Sequence, residues 1–241
     1  MIKITMIEKP SELTAENEAE LVRIYKATGK PVWRKKYIVD ALLKMTNSKC
    51  AYSELKLNEG GKYMEVDHFK CKKNYPDEVV RWGNLLPCCK KCNSQKRSID
   101  VNETPIVNPL IDNPKDYLYI KGLRYYAVGN NQKGVNTIIN LGLNDESHFI
   151  KPKWDIVLDI EDKFKLILCN PQNDVSLRIL KKLFKKCRPK YGFSAAISTY
   201  ILYDSKIYPK IETYLRQNNL WDDELEQLKT VLLEIAMPKL S

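Results

Sequence analysis

One segment of the sequence, residues 65–97, combines the side chains that hydrolysis of a phosphodiester bond requires. This reaction needs a group that takes a proton from water and a positive charge that stabilises the negative charge developing on the phosphate oxygens. Histidine suits the first task because its pKa is near neutrality, and a divalent cation held by oxygen ligands suits the second. The residue types predict His68 as the base, with Asp67 and Asn93 holding the cation.

These residues can serve one site only if the local elements bring them together. The stretch from Lys62 to His68 has the pattern of a strand, in which the neighbouring side chains of Asp67 and His68 would point to opposite faces. The strand must therefore end or twist there, and the irregular basic loop that follows allows this. A helical turn or two from Lys90 to Arg97, after a second short strand, would carry Asn93 to the same site.

Helical patterns flank this segment on both sides. Two helices are expected within residues 13–45, with Thr14 capping the first. A hairpin with a tight turn at Lys121-Gly122 is expected next, and apolar residues recur at helical spacing from Gly134 almost to the end. The pattern predicts an α+β fold, mostly helical with a small α/β insert. Its three segments would be an N-terminal helical segment (1–46), a core carrying the chemistry (47–104), and a hairpin with C-terminal helices (105–241).

The overall composition favours a protein that meets polyanions. Lys and Arg number 40 against 30 Asp and Glu, which gives a net charge of +10. No apolar run approaches the length of a membrane span, and the first residues lack the apolar core of a signal peptide. We therefore expect a cytoplasmic protein without membrane contact. Its seven cysteines would then be thiols or metal ligands, because that compartment keeps disulfides reduced.

The order of residue types in the central segment resembles the HNH, or ββα-metal, endonuclease family. The matching positions are Asp67-His68, Asn84, the Cys-x-x-Cys-Asn run from Cys89 to Asn93, and Lys96. The resemblance implies that Asp67 and Asn93 bind Mg²⁺ or Mn²⁺ and that His68 is the general base. It further implies that Asn84 orients His68 and that Lys96 faces a phosphate.

Basic residues around the motif favour contacts with a nucleic-acid backbone, which position the nucleic acid without reading its sequence. The residues singled out for them are Lys90, Lys91, Lys96 and Arg97, in a basic run that also holds Lys70, Lys72, Lys73 and Arg81. A second basic cluster lies between Lys181 and Lys190, opposite the apolar side of the same predicted helix. By itself, that cluster fits a solvated helix face as well as it fits binding.

A second metal site is incomplete in the sequence. Many HNH proteins hold a structural Zn²⁺ between two Cys-x-x-Cys pairs, which supply four tetrahedral ligands. The second pair is intact here as Cys89 and Cys92, but the first consists of Cys50 and Ser53. Serine is a poor zinc ligand at neutral pH, so the expected structural zinc ligands are three cysteines, Cys50, Cys89 and Cys92.

Three interpretations of this incomplete knuckle stay open. Cys71 or Cys88 could complete the zinc site, the site could be lost, or the knuckle could be metal-free and held by packing. The serine favours loss or weakening of zinc binding. Apolar contacts would then have to hold Asn93 in place.

The plan of the whole chain resembles the PtuB-type HNH nucleases of bacterial anti-phage defence, found in Septu systems and in some retrons. The resemblance is carried by the Ile-x-Lys-Pro start, the Asn-Pro steps at Asn108 and Asn113, and the run from Thr137 to Asn144. It implies a PtuA-like ATPase as partner and, in retron members, a reverse transcriptase and its DNA. The implied substrate is nucleic acid, either DNA or RNA including tRNA. The alternative is a nucleic-acid-binding or ATPase-docking subunit without catalysis.

Overall fold

The computed structural model describes residues 1–61 and 63–239, so Lys62, the first residue of the predicted strand, lies outside the described residues. The chain divides into two compact units. The first comprises Met1–Tyr117 and Ala127–Leu143, and the second comprises Leu118–Tyr126 and the chain from Asn144 onward. Helices occur together with two small two-stranded sheets, which confirms the α+β class. The three segments drawn from the sequence stay a prediction.

The first unit begins with the two expected helices, α1 (Ala15–Thr28) and α2 (Lys36–Thr46). The Thr14 side chain accepts a hydrogen bond of 3.2 Å from the backbone N–H of Asn17, and this satisfies one of the free N–H groups at the start of α1. Gly29 ends α1 with φ 68°, a left-handed conformation that glycine adopts at low cost. The predicted cap and both helices are confirmed.

A compact ββα arrangement follows. Strand β1 (Met64–His68) pairs antiparallel with β2 (Leu85–Cys89), with Asp67 opposite Leu86, and helix α3 (Lys90–Lys96) starts directly after β2. Helix α3 packs against both strands and against α4 (Gln132–Leu141). The apolar side chains of β2 and α2 close the core beneath the sheet, where Leu85, Leu86, Ile38 and Leu42 are fully buried.

The second unit contains the predicted hairpin and the C-terminal helices. Strands β3 (Leu118–Lys121) and β4 (Arg124–Ala127) are joined by Gly122 and Leu123, with φ values of 54° and 65°. Two left-handed residues match the twist of a two-residue hairpin turn. The helices are α5 (Lys151–Cys169), α6 (Asp174–Lys185), α7 (Ser194–Thr199), α8 (Tyr208–Gln217) and α9 (Asp223–Ile235). Within the described chain, no helix combines the length and apolar character needed to cross a bilayer.

Candidate active site and thiol cluster

A cleft of about 550 Å³ in the first unit is lined by Asp67, His68 and Asn93. The first two stand at the end of β1 and the third in the middle of α3. The strand ends at His68, so the chain turns at the point where two neighbouring side chains must reach one site. The structure therefore brings together the three groups that the chemistry requires.

His68 is held in one tautomer by a backbone carbonyl. Its Nε2 lies 2.9 Å from the carbonyl oxygen of Val79. A carbonyl oxygen can only accept, so Nε2 carries the ring proton in the neutral imidazole, and Nδ1 keeps a lone pair. The Trp33 ring packs edge-on against the imidazole, with the ring centroids 4.6 Å apart. Burial lowers the pKa of His68 to about 4, although the hydrogen bond to Val79 and the charge of Asp67 oppose this.

Asn84 is expected to orient His68, and the hydrogen bonds that the structure shows for its side chain go to the loop between β1 and β2. Its Oδ1 accepts a hydrogen bond of 2.7 Å from the Lys70 backbone N–H. Its Nδ2 donates to the backbone carbonyls of Lys70 and Glu78, both at 3.1 Å. The orienting contact on His68 comes from Val79 instead, next in the chain to Glu78. Asn84 therefore holds the backbone next to the residue whose carbonyl contacts His68. The contact between Val79 and His68 could not be predicted, because every residue has a backbone carbonyl.

The Asp67 carboxylate is buried between two donors. The Tyr52 hydroxyl donates to Oδ2 at 2.6 Å, and the Lys96 ammonium donates to Oδ1 at 2.9 Å. The same ammonium donates to the backbone carbonyl of His68 at 2.6 Å, and the Lys96 side chain is fully buried. This differs from the predicted phosphate contact of Lys96. Because α3 packs on β1, the last turn of the helix places the ammonium beside a buried carboxylate that needs a cation.

Asn93 is oriented by a carboxylate for which the sequence indicated no role. Its Nδ2 donates to Oε2 of Glu65 at 2.6 Å. Glu65 stands two residues before Asp67 and so projects from the same face of β1. With the nitrogen of the amide engaged by Glu65, the oxygen Oδ1 faces the other way and can serve as a ligand.

Positive charge lines the cleft, from part of the predicted basic run and from one lysine of α1. Arg97 lines it, as do Lys26, Lys72 and Lys73. Lys90 is exposed and Lys91 packs beside Gly142, and neither is among the described residues of the cleft wall. Helix α3 turns its first residues away from the cleft, while the loop after β1 supplies the additional lysines. Position along the sequence could not separate these two groups.

A thiol cluster lies in the same unit. The sulfurs of Cys50, Cys89 and Cys92 lie within 4.8 Å of one another, and all three side chains are buried. The Cys88 sulfur is 4.0 Å from that of Cys50, and the Ser53 hydroxyl is 3.7 Å from the sulfur of Cys89. Burial raises the pKa of the Cys50 thiol, but hydrogen bonds with the neighbouring thiols outweigh this and hold its pKa well below the usual value. Such a buried three-cysteine group can bind a metal ion.

Comparison with known proteins places the chain in a family. No family model matches the sequence. The chain is similar to the Septu protein PtuB of Bacillus thuringiensis, with 34% identity over an alignment 241 residues long. The alignment covers 95% of this chain and 92% of the relative. It is also similar to a Septu protein PtuB of Bacillus mycoides (strain KBAB4), with 28% identity over 163 residues and 54% of each chain. The chain belongs to the PtuB family of Septu proteins.

Proposed function

We propose that this chain is an HNH-type, metal-dependent endonuclease that hydrolyses phosphodiester bonds in nucleic acid. One observation carries the proposal. Asp67, His68 and Asn93 line the same cleft, and His68 is held there as a tautomer that can accept a proton. These side chains come from two separate elements, so their meeting in one cleft does not follow from their order in the sequence.

His68 would act as the general base. With Nε2 donating to Val79, Nδ1 is the ring atom that takes the proton from the attacking water. The Val79 carbonyl then stabilises the protonated ring through the same hydrogen bond. Trp33 restricts the ring plane, and Asn84 keeps the Glu78-Val79 backbone in place. Each contact reduces the reorganisation needed during the proton transfer.

Asp67 and Asn93 would hold the cation, and their chemistry fits a hard ion. A carboxylate oxygen and an amide oxygen are ligands that Mg²⁺ and Mn²⁺ prefer. The hydrogen bonds from Tyr52 and Lys96 occupy only part of the acceptor capacity of Asp67, because a carboxylate offers about four lone-pair positions. A bound divalent ion would polarise a phosphoryl oxygen and offset the charge that develops on the leaving oxygen.

The basic residues of the cleft can bind a phosphate backbone. Membership of the PtuB family supports a role in an anti-phage defence complex. Lys72, Lys73 and Arg97 can contact phosphates of either DNA or RNA, tRNA included. We propose that the chain is the effector of a Septu anti-phage system, with a PtuA-like ATPase as its partner. A retron reverse transcriptase and its DNA are the additional partners if the chain belongs to a retron.

A second function is favoured by one observation, the buried ion pair of Asp67 with Lys96. A carboxylate that is already neutralised by a protein cation has less need of a metal ion. The alternative is therefore a subunit that binds nucleic acid or docks an ATPase and does not cleave.

The deciding experiment uses the two histidines of the chain as a matched pair. The complex isolated with its partner ATPase is offered plasmid and total RNA, with Mg²⁺ or with EDTA. We expect Mg²⁺-dependent cleavage by the wild type and by His148→Ala, because His148 is exposed and hydrogen-bonds to its chain neighbours Asp145 and Ser147. His68→Ala should cleave about 100- to 10,000-fold more slowly, the usual effect of losing a general base.

Circular dichroism and nucleic-acid binding show whether each variant is folded. Cleavage by folded His68→Ala at the wild-type rate would disprove the proposal. Salt-dependent binding without cleavage in the activated complex, with Mg²⁺ and also with Mn²⁺, would establish the non-catalytic alternative.

A further inference from the structure

The thiol cluster has two candidates for a fourth position. Ser53 occupies the place that the spacing of a zinc knuckle would give to a cysteine, and its hydroxyl is 3.7 Å from the Cys89 sulfur. Cys88 lies outside that spacing, but its sulfur is 4.0 Å from the Cys50 sulfur. Cys71 is a weaker candidate because it lines the cleft in the loop after β1.

The distance between the Cys50 and Cys88 sulfurs fits one edge of a tetrahedron of sulfurs around one ion. Zinc–sulfur bonds of about 2.3 Å place the sulfurs of a four-cysteine site about 3.8 Å apart. The distance of 4.0 Å between the Cys50 and Cys88 sulfurs is close to this value. The sulfurs of Cys50, Cys89 and Cys92 lie within 4.8 Å of one another. Cys88 lies outside the group of three sulfurs that are mutually within 4.8 Å, so its side chain must shift toward Cys89 and Cys92 to close the site.

The backbone explains how two neighbouring cysteines reach one cluster. Successive side chains of a strand point to opposite faces, so Cys88 and Cys89 would diverge inside a continuous strand. Cys89 is the last residue of β2 and the residue before α3, so the chain turns there. Cys88 is fully buried and Cys89 nearly so, and neither side chain faces solvent.

The chemistry of the donors decides between the two candidates. Zinc binds thiolates strongly, whereas a serine hydroxyl keeps its proton at neutral pH and is a weak ligand. We propose that Cys88 is the fourth ligand of a structural zinc site formed with Cys50, Cys89 and Cys92. Ser53 then packs beside the site and is not a ligand. The assignment of this zinc site does not rest on the proposed nuclease activity.

The test measures zinc per chain on the full-length protein and on three variants, by mass spectrometry after dialysis against a graded zinc buffer. Wild type should retain one zinc ion. Ser53→Ala should retain it with unchanged affinity, while Cys88→Ser should bind zinc about 100-fold more weakly or worse. Cys187→Ala, which removes a buried cysteine of the second unit, is the matched control and should keep its zinc.

Two measurements on the wild type and one double variant keep the test decisive if Cys88→Ser does not fold. On wild type, an alkylating reagent should modify Cys88 together with Cys50, Cys89 and Cys92 only after a chelator is added. Substitution by Co²⁺ should give the absorption of four thiolate ligands and not of three. In the Cys88→Ser background, Ser53→Cys should restore zinc by returning a fourth thiolate. Zinc loss in Ser53→Ala with retention in Cys88→Ser, or folded wild type that binds no zinc, would overturn the proposal.

Discussion

The cleft and the thiol cluster both use residues of the ββα arrangement, but they differ in whether the potential metal ligands are already engaged by other side chains. In the cluster, potential ligands already face one another, with three sulfurs within 4.8 Å. In the cleft, each predicted ligand is held by a protein partner: Asp67 by Lys96 and Tyr52, and Asn93 by Glu65. Cys92 and Asn93 are consecutive in α3, so one short helix serves both. Under the two proposals, the cluster would hold a permanent ion that positions α3, and the cleft would hold an exchangeable ion that takes part in catalysis.

The largest effect is expected at the ion pair beneath the cleft. Lys96→Met leaves the buried carboxylate of Asp67 without its cation, so the free energy of unfolding should fall by about 3–5 kcal/mol. Lys90→Met, at an exposed position of the same helix, should change it by less than about 0.5 kcal/mol. Urea unfolding measures both.

Adding Asp67→Asn to Lys96→Met should recover part of the loss, because the unpaired charge is then gone. Equal stability of wild type and Lys96→Met would show that the pair does not hold the cleft together.

Acid should act on the cleft through His68. Its pKa of about 4 in the folded chain lies below the ordinary 6.5, so the unfolded chain binds more protons between these values. Stability of the metal-free chain should therefore be full above about pH 6.5 and fall by about 3 kcal/mol as the pH approaches 4. Thermal unfolding across this range should show a weaker fall in His68→Gln than in wild type. His148→Gln should behave like wild type, and identical curves for all three would contradict the burial of a neutral His68.

Asn84→Ala should weaken the cleft and leave the thiol cluster unchanged. It removes the three hydrogen bonds that Asn84 makes to the backbone of Lys70 and Glu78, at about 1 kcal/mol each. We expect a loss of about 2–3 kcal/mol together with slower cleavage, while zinc per chain stays unchanged.

Asn84→Asp keeps the acceptor for Lys70 but places a buried carboxylate oxygen against the carbonyl oxygens of Lys70 and Glu78, so its loss of stability should be at least as large. A fall in zinc content in either variant would show that the loop also supports the thiol cluster.

The smallest effect concerns the two basic regions. Lys73→Ala removes one charge from the cleft wall and should lower the salt dependence of nucleic-acid binding by about 0.9 in log–log slope. Lys181→Ala, in α6, should leave it unchanged, because Lys181 is ion-paired with Asp222 and Glu224 of the second unit. Filter binding across a salt series measures both slopes. A larger change in Lys181→Ala would place the nucleic acid on the second unit.

Local signals predicted most of the elements. Thr14 caps α1 as expected, and the strand ending at His68, the helix after Cys89 and the hairpin around Gly122 are all present. Each depends on residues close together in the chain, such as a cap, a turn or a short alternation. The apolar stripes of the C-terminal helices are buried for the same reason, since Leu225, Leu228 and Leu232 repeat at helical spacing.

The partners of the site residues could not be predicted in this way. Tyr52 reaches Asp67, Val79 reaches His68, and Lys96 turns inward instead of facing a phosphate. These contacts join residues from different elements, so they depend on how the elements pack. The residue type of Lys96 and its place in α3 predict a surface residue. In the structure Lys96 is buried beside a carboxylate.

By itself, the sequence determined which residue types stand on β1, β2 and α3, and in what order, because hydrophobic alternation, caps and turns act over a few residues. Only the tertiary structure decided which atoms meet. The packing of α3 on β1 places Lys96 in contact with Asp67 and Asn93 in contact with Glu65. The turn after β2 places Cys88 beside Cys50. Such long-range contacts follow from close packing of whole elements, and no local pattern encodes them.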